Sequence, residues 1–518
     1  MLWILVAVLL VVSKLVSRWK NRRLRALAKQ LAPRSIALPF VGHAYRFLGD
    51  DEDRMEMFKR IGREALEKSG LLSHWQGNRL FILVADPEAA EILLKSCLDK
   101  DDVTKFFRVL LGNGSIFAPV SIWRPRRKLL APTFSQKNLN SFVEVFSRQS
   151  RIMVDQLRSA AGKGTFSVWK YLTAYTMDSV CETTLGIKMN VQQKPEQPFL
   201  KAFENCCRLD AKRICQPWLY NDKIYKFFCP ANFELHSHSK EIIWSFMDKI
   251  IASKREYLRK EKLESNSSQK CKQDLKTFLE LLIESPGGYG SVELREETLV
   301  IVLAGTDTSA VGTAFTTVML AKYPDVQEKV YNELQEVFGD SDRPETPEDL
   351  PRLKYLEAVI KETLRLYPPV PFIVRQVKKD VTVRLTLVEG CGLFISIWSI
   401  HRNPRYWGDD AELFRPERFL DTPLSHPAAF MPFSHGPRSC LGYQYAMMSM
   451  KAALSALLRR YRVLPVEENN KMSEAETGSR EAKNKSSEAK NRSSELRVKF
   501  DVMMKDVNDF EIQLDLRI

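Results

Sequence analysis

A cysteine flanked by glycines and an arginine is a candidate metal ligand, and the segment FSHGPRSCLG at 433–442 presents one at Cys440. A metal-binding thiolate needs backbone N–H groups aimed at the sulfur, because they disperse its charge and tune the metal. Gly436 lets the chain turn tightly and approach a flat cofactor. Gly442 lets the following helix start close against it. Arg438 can neutralise a carboxylate on such a cofactor, and Phe433 can cover the sulfur and exclude water. Cys440 alone would read as a buried, inert thiol; the ten-residue constellation is far more specific.

Three other constellations carry possible chemistry. Ala304-Gly305-Thr306-Asp307-Thr308-Ser309 lies inside an apolar stretch expected to be helical from about 297 to 321. Adjacent polar residues in a buried helix cost free energy unless they are used. The small pair Ala304 and Gly305 would let a ligand lie against the helix, and Asp307 with Thr308 forms an acid–alcohol pair able to pass protons. The plainer reading of Thr308 is a hydroxyl bonded back to its own helix. Trp123 and Arg127 stand four apart and share a helix face, as do Glu362 and Arg365, three apart and followed by the helix-ending Pro368 and Pro369.

Position for position, 433–442 resembles the haem-binding loop of the cytochrome P-450 family, and the resemblance extends from Pro33 to Leu516 apart from one polar insert. It implies haem b with an axial thiolate from Cys440. Trp123 and Arg127 match the W-x-x-x-R of the family's helix C, implying contact with a haem propionate, and Arg375 after helix K is implied as a second propionate partner. Asp307 and Thr308 match the oxygen-activating helix I, where the alcohol assists oxygen activation and the acid feeds it protons. Glu362 and Arg365 match the E-x-x-R of helix K, which locks onto Arg418 of the PERF-like FRPERF at 414–419; that role is structural. The stretch 123–134 and YAMMSMK at 445–451 are similar to the fatty-acid ω-hydroxylase clan, particularly its insect branch. Many members of that clan esterify a helix I glutamate to a haem methyl. Ala304 stands at that position, so covalent attachment is not expected.

The activity implied is a monooxygenase that inserts one oxygen atom from O2 into a lipophilic organic substrate. Its electrons would come from NADPH through NADPH–cytochrome P-450 reductase, with cytochrome b5 as an auxiliary donor. Rival readings are a thiolate-haem isomerase or dehydratase acting on peroxides, and a non-enzymatic haem-binding protein. The intact Asp307–Thr308 pair argues against the first, and the complete residue set against the second. Phe106, Phe107, Phe372, Ile373, Val507 and Phe510 are candidate apolar substrate contacts.

The elements that must position these groups are mainly helical. Period-3.6 patterning dominates 123–366, and strand-like segments fall at 79–85, 381–387, 393–397, 496–504 and 510–516, with Asp86-Pro87 opening a helix after the first. The expected fold is mainly α with small peripheral β-sheets, a single catalytic domain over 43–518. Residues 467–495 are polar, with a seven-residue repeat (EAKNKSSE, EAKNRSSE) lacking apolar heptad positions, and read as a disordered surface insert.

The first residues are apolar to Val16 except for Ser13 and Lys14, and Arg18, Lys20, Arg22, Arg23 and Arg25 follow. Charge after the apolar run, with no clear small-residue cleavage site, favours an uncleaved signal anchor at 1–17 over a cleaved signal peptide. The positive-inside rule then places the catalytic domain in the cytosol, on the endoplasmic reticulum membrane. A basic, proline-containing linker is expected at 18–42. The nine cysteines are odd in number and show no C-x-x-C spacing, which excludes a disulfide framework or a structural zinc site. The net charge of +14 comes with no zinc-finger spacing or aromatic–basic repeat, so nucleic acid is not the expected partner. Arg124, Arg126 and Lys128 would instead form a basic face for an acidic flavoprotein.

Overall fold

The structure is a computed structural model that describes residues 21–194, 198–265, 276–285, 288–421, 423–466 and 495–517. The anchor expected at 1–17 and all but Glu495 of the insert at 467–495 lie outside the described residues.

The helix Ser291–Lys322 runs through the centre of the molecule. It starts where the Glu293 carboxylate accepts from the Gly290 N–H at 3.0 Å, and it gives way at Tyr323 to a new helix opened by Pro324. It is apolar on nearly every side, as a helix enclosed by protein must be. Among the described residues it alone is long and apolar enough to cross a membrane, but most of it is buried inside the fold, which makes it a core helix. Trp169–Val180, Lys354–Leu366, Tyr443–Arg460 and Pro230–Ser265 pack around it. Two glycines set how closely they approach. A Cβ on Gly305 would lie 2.8 Å from Val180 Cγ2, and one on Gly312 would lie 2.8 Å from Met450 Sδ.

The sheets are small and peripheral, and the fold is mainly helical. A four-stranded sheet has the order Leu71–Gln76, Arg79–Val84, Gly392–Ser396, Phe372–Gln376, with only the middle pair parallel. Phe81 stands opposite Gly392, where any Cβ would meet its ring at 2.3 Å. Glu511–Leu516 pairs with Tyr461–Leu464 and with Phe166–Ser167.

Two expected strands are hairpins. The stretch 381–387 divides into Val381–Thr382 and Thr386–Leu387. The stretch 496–504 reverses at Val502 (φ 60°), pairing Val498–Asp501 with Met503–Asp506. Where a linker is expected, Arg22–Gln30 is helical, and Leu27, Ala28 and Leu31 join a core with Leu71 and Leu80.

The fold around the ligand loop is locked by Glu362, Arg365 and Arg418. The Arg365 guanidinium donates to both Glu362 oxygens at 2.7 and 2.8 Å and to the carbonyls of His401, Ala411 and Leu413. Arg418 Nε donates to Glu362 Oε1 at 2.9 Å. Glu362 and Arg365 are wholly buried. Such a cluster holds only because each charge has partners.

Candidate functional site

The loop 433–442 is built by two left-handed turns. Ser434 (φ 65°) and Gly436 (φ 74°) fold it back so that Cys440 N donates to the Phe433 carbonyl at 2.8 Å. The space that Gly436 leaves open is taken by the Leu94 carbonyl, 3.0 Å from where a Cβ would sit. The turn and the neighbouring backbone therefore both favour glycine at this position. Gly442 caps the helix Tyr443–Arg460, and the Phe433 ring sits edge-on to Tyr443 at 4.7 Å.

Cys440 combines two properties seldom found together. Its surface is exposed, yet it lies so deep among protein atoms that burial raises its thiol pKa, with the Gly442 backbone N–H and Arg127 pulling it back down. A deep but accessible sulfur faces an internal space. The central helix shows the same signature. Between Glu297 and Thr317, only Ile301, Ala304, Gly305 and Thr308 keep partial exposure. At spacings of three, four and seven they form one face of the helix.

A cluster of cations lies in the same region. Arg438 donates through Nη2 to the Ala118 carbonyl at 2.6 Å and lies over the Trp123 ring at 4.5 Å, but its Nε and Nη1 are buried without an acceptor. Arg375, 1% exposed, donates only to the Val374 carbonyl and leaves Nε unsatisfied. Burial lowers both pKa values to about 10, with the neighbouring Arg438 contributing to the shift of Arg375. Lys100 is pushed well below the usual lysine range by burial and by these two arginines. Among the described residues, none of the three forms an ion pair with a carboxylate. Unpaired buried cations are costly, so the cluster suits a ligand carrying carboxylates. Lys100 was not foreseen; a single lysine in KDDV carries no motif.

Trp123 and Arg127 share a face of the helix Val120–Leu130, as their spacing predicts. Arg127 reaches the loop, donating to the Ser439 carbonyl at 2.8 Å, one residue from Cys440. Arg126 departs from the expected basic face. It is buried, pairing with Glu297 at 2.6 Å and Glu293 at 3.1 Å on the central helix. One residue further along, a 100° turn of the helix separates an inward arginine from one beside the loop. Arg124 and Lys128 are exposed.

The Thr308 hydroxyl donates to the Ala304 carbonyl at 2.5 Å, the ordinary in-helix bond. Asp307 is 4% exposed; burial raises its pKa, and its Oδ2 has no partner. Gly305 serves helix packing against Val180 as well as the open face. Of the apolar candidates, Phe106 is core, covered by Arg213 and Tyr220, and Phe510 is core between Trp169 and Phe315. Phe372 packs on Phe58 and Phe500, and Phe107 stacks on Phe117. Val507 and Phe510 stand in the turn 507–510 that joins the strands Met503–Asp506 and Glu511–Leu516.

A family model described as Cytochrome P450 matches residues 33–487. Cytochrome P450 4V2 of Homo sapiens is 34% identical over 459 residues, covering 85% of this chain and 84% of that protein. Cytochrome P450 4d2 of Drosophila melanogaster is 32% identical over 463 residues, covering 86% and 90%. Cytochrome P450 4c3 of the same organism is 31% identical over 479 residues, covering 88% of each.

Proposed function

The chain belongs to the cytochrome P450 family and is a haem-thiolate monooxygenase, and from that premise we propose how its own residues divide the work. Cys440 holds the iron through its thiolate, with the Gly442 N–H and Arg127 favouring the charged sulfur. Arg438, Arg375 and Lys100 receive the haem carboxylates, with Trp123 bracing Arg438. The orphaned guanidinium nitrogens of Arg438 and Arg375 are the observation that carries this reading. The deep, accessible sulfur and the open face of Ile301, Ala304, Gly305 and Thr308 fit a flat prosthetic group between them.

Haem bound through a thiolate supplies the redox chemistry that activates dioxygen. Asp307 holds a proton beside Thr308, and the Thr308 hydroxyl, released from the Ala304 carbonyl, can pass it inward. The apolar surroundings exclude water and favour a lipophilic substrate.

Two surfaces support the finer placement. Ile36 (77% exposed), Phe40 (66%), Phe227 (78%) and Phe228 (69%) are large apolar side chains left exposed. Exposed large apolar side chains of this kind suit a membrane surface. With the apolar start of the chain, it supports attachment to the endoplasmic reticulum membrane with the catalytic domain in the cytosol. Arg124 and Lys128, on the exposed side of the helix that carries Trp123 and Arg127, suit an acidic electron donor, for which NADPH–cytochrome P-450 reductase is the proposed partner and cytochrome b5 an auxiliary one.

The test is a carbon monoxide difference spectrum of the reduced protein beside Cys440→Ala. A strongly red-shifted Soret band, absent in the variant, is expected; an unshifted band, or the shifted band in Cys440→Ala, would refute the ligand assignment. Reconstitution with reductase and NADPH should then yield hydroxylated lipophilic products without added peroxide. Turnover with peroxide alone would favour the isomerase reading.

A further inference from the structure

The buried acid of the central helix has an unanticipated neighbour. Lys505, 6% exposed, comes from the hairpin strand Met503–Asp506, and its Nζ lies 3.6 Å from Asp307 Oδ1 and 3.8 Å from Asp501 Oδ2. Both distances are ion-pair contacts longer than a hydrogen bond, so one ammonium is shared between two carboxylates. Each carboxylate also has a buried oxygen with no partner, Asp307 Oδ2 and Asp501 Oδ1.

The Lys505 ammonium rests over the Trp169 ring at 4.7 Å, and Trp169 Nε1 donates to Glu204 at 2.9 Å. Glu204 is half-buried on the helix Pro198–Ile214, toward the outside of the fold. The charged or titratable groups acting on Lys505 are therefore Asp307 from the central helix, Asp501 from its own hairpin, and Glu204 and Cys207 from the Pro198–Ile214 helix.

We propose that Lys505 is a positioning residue of the monooxygenase reaction: shared between Asp307 and Asp501, it holds Asp307 beside Thr308 and keeps Asp501, on the other side of the ammonium, as the group that reprotonates it. The inference rests on the reading of Asp307 and Thr308 as the acid–alcohol pair. Monooxygenation consumes two protons and two electrons for each O2, one oxygen entering the substrate and the other leaving as water. The electrons come from the redox partner. Each proton that leaves Asp307 breaks an O–H bond there and must be replaced, and Asp501, across the same ammonium, is placed to replace it.

Charges around the cluster agree with storage of a proton. Burial raises Asp501 to about 6, against the pull of Lys505. Burial raises Asp307 as well. Burial opposes the charge on Lys505, but Asp307 and Asp501 together push its pKa up, so the cation persists and the carboxylates share the titration. This lysine does not belong to the acid–alcohol motif and lies about two hundred residues beyond it.

The experiment compares Lys505→Met, Lys505→Arg, Asp501→Asn and Asp307→Asn in the full-length holoenzyme. The readouts are kcat, KM, the solvent isotope effect and the infrared band of the protonated Asp307 carboxyl, identified by its loss in Asp307→Asn. Lys505→Met should lower kcat about tenfold or more with KM little changed, enlarge the isotope effect, and move the disappearance of the infrared band to higher pH. Lys505→Arg should restore all three. Asp501→Asn removes a negative neighbour and should move the band to lower pH. A Lys505→Met enzyme with a normal carbon monoxide spectrum, unchanged isotope effect and unmoved band would overturn the proposal. If Lys505→Met fails to hold haem, the Asp501→Asn band decides: a shift to lower pH supports the shared cation, and no shift overturns it. Full turnover in Asp307→Asn would instead sink the acid–alcohol reading itself.

Discussion

Arg438→Met should weaken haem binding while leaving the haem-free fold nearly as stable as before. In the structure one guanidinium nitrogen is satisfied by the Ala118 carbonyl, and Nε and Nη1 are not. A carboxylate that supplies acceptors to those two atoms makes two charge-assisted hydrogen bonds, each contributing about 1.5–3 kcal/mol. Arg375 and Lys100 remain in the variant and recover part of that interaction, so a net loss of about 2–4 kcal/mol is expected. At 1.4 kcal/mol per tenfold, haem affinity should fall roughly 30- to 700-fold. In the haem-free chain the balance differs. The variant loses one bond to Ala118, about 1 kcal/mol, but relieves the repulsion that Arg438 imposes on Arg375 and Lys100. The unfolding midpoint of the haem-free protein in urea should therefore barely move. Transfer of haem to an excess of an apo-acceptor, followed in the Soret region, gives the first quantity, and urea unfolding the second. Unchanged haem release, or haem-free and haem-bound forms destabilised equally, would refute the assignment of the orphaned nitrogens to a ligand carboxylate.

Arg365→Met leaves Glu362 with Arg418 and the Arg415 N–H and removes one donor from each of three carbonyls. A loss of about 3–5 kcal/mol is expected, and Arg365→Lys should not rescue it, because an ammonium cannot reproduce the fork; an unfolding midpoint like the parent's in either variant would contradict this. Arg126→Met strands Glu297, 1% exposed, and should also cost about 3–5 kcal/mol. Adding Glu297→Gln should recover much of it, and a strictly additive double mutant would show that the pair is not coupled. Burial raises Asp506 from 3.8 to about 6, although the Phe510 N–H opposes the shift. The folded chain thus holds this proton more tightly than the unfolded one, so the contribution is complete below the unfolded value and is lost as pH rises through about 6. Asp506→Asn, which keeps an acceptor for Phe510 N, should gain stability relative to the parent between about pH 4 and about pH 7; a constant difference in midpoint would rule this out.

The parts of this site legible in the sequence are those whose residues stand together within one loop or one turn of helix. Cys440, Gly436 and Arg438 sit in ten consecutive residues, and Trp123 with Arg127 keeps a helical spacing, so their types and separations already state the geometry. Arg126 and Arg127 could not be told apart by composition: their directions are fixed by where Glu297 and the Ser439 carbonyl stand, on elements far along the chain. Lys100 and Lys505 were missed for the same reason. Each is an ordinary lysine until strands or helices from distant segments bring arginines or carboxylates to it. Gly305 carries a second requirement, since its missing side chain also leaves room for Val180 on a neighbouring helix, a contact that no local pattern encodes. The hairpin at Val502 was hidden because a β-branched residue is a poor choice for a left-handed turn, and only the pairing of Asp501 with Met503 reveals it.

The placement of charge bears on how the fold and its cofactor depend on each other. Glu362 and Glu297 are buried with arginines already in contact, so those pairs are complete within the protein. Arg438, Arg375 and Lys100 have no carboxylate in ion-pair contact among the described residues, and burial lowers the pKa of each, with Arg438 adding to the effect on Arg375 and Lys100. A site of this kind stores unfavourable electrostatic energy until an anionic ligand arrives, and the ligand's binding energy includes its release. Haem should then stabilise the native state beyond what its apolar contacts would contribute, by the linkage that any ligand exerts when it binds only the folded form. The same reasoning explains why the proximal thiolate can be buried at all. Cys440 is costly to ionise where it stands, and the Gly442 N–H and Arg127 offset only part of that cost; a metal cation bound to the sulfur supplies the rest.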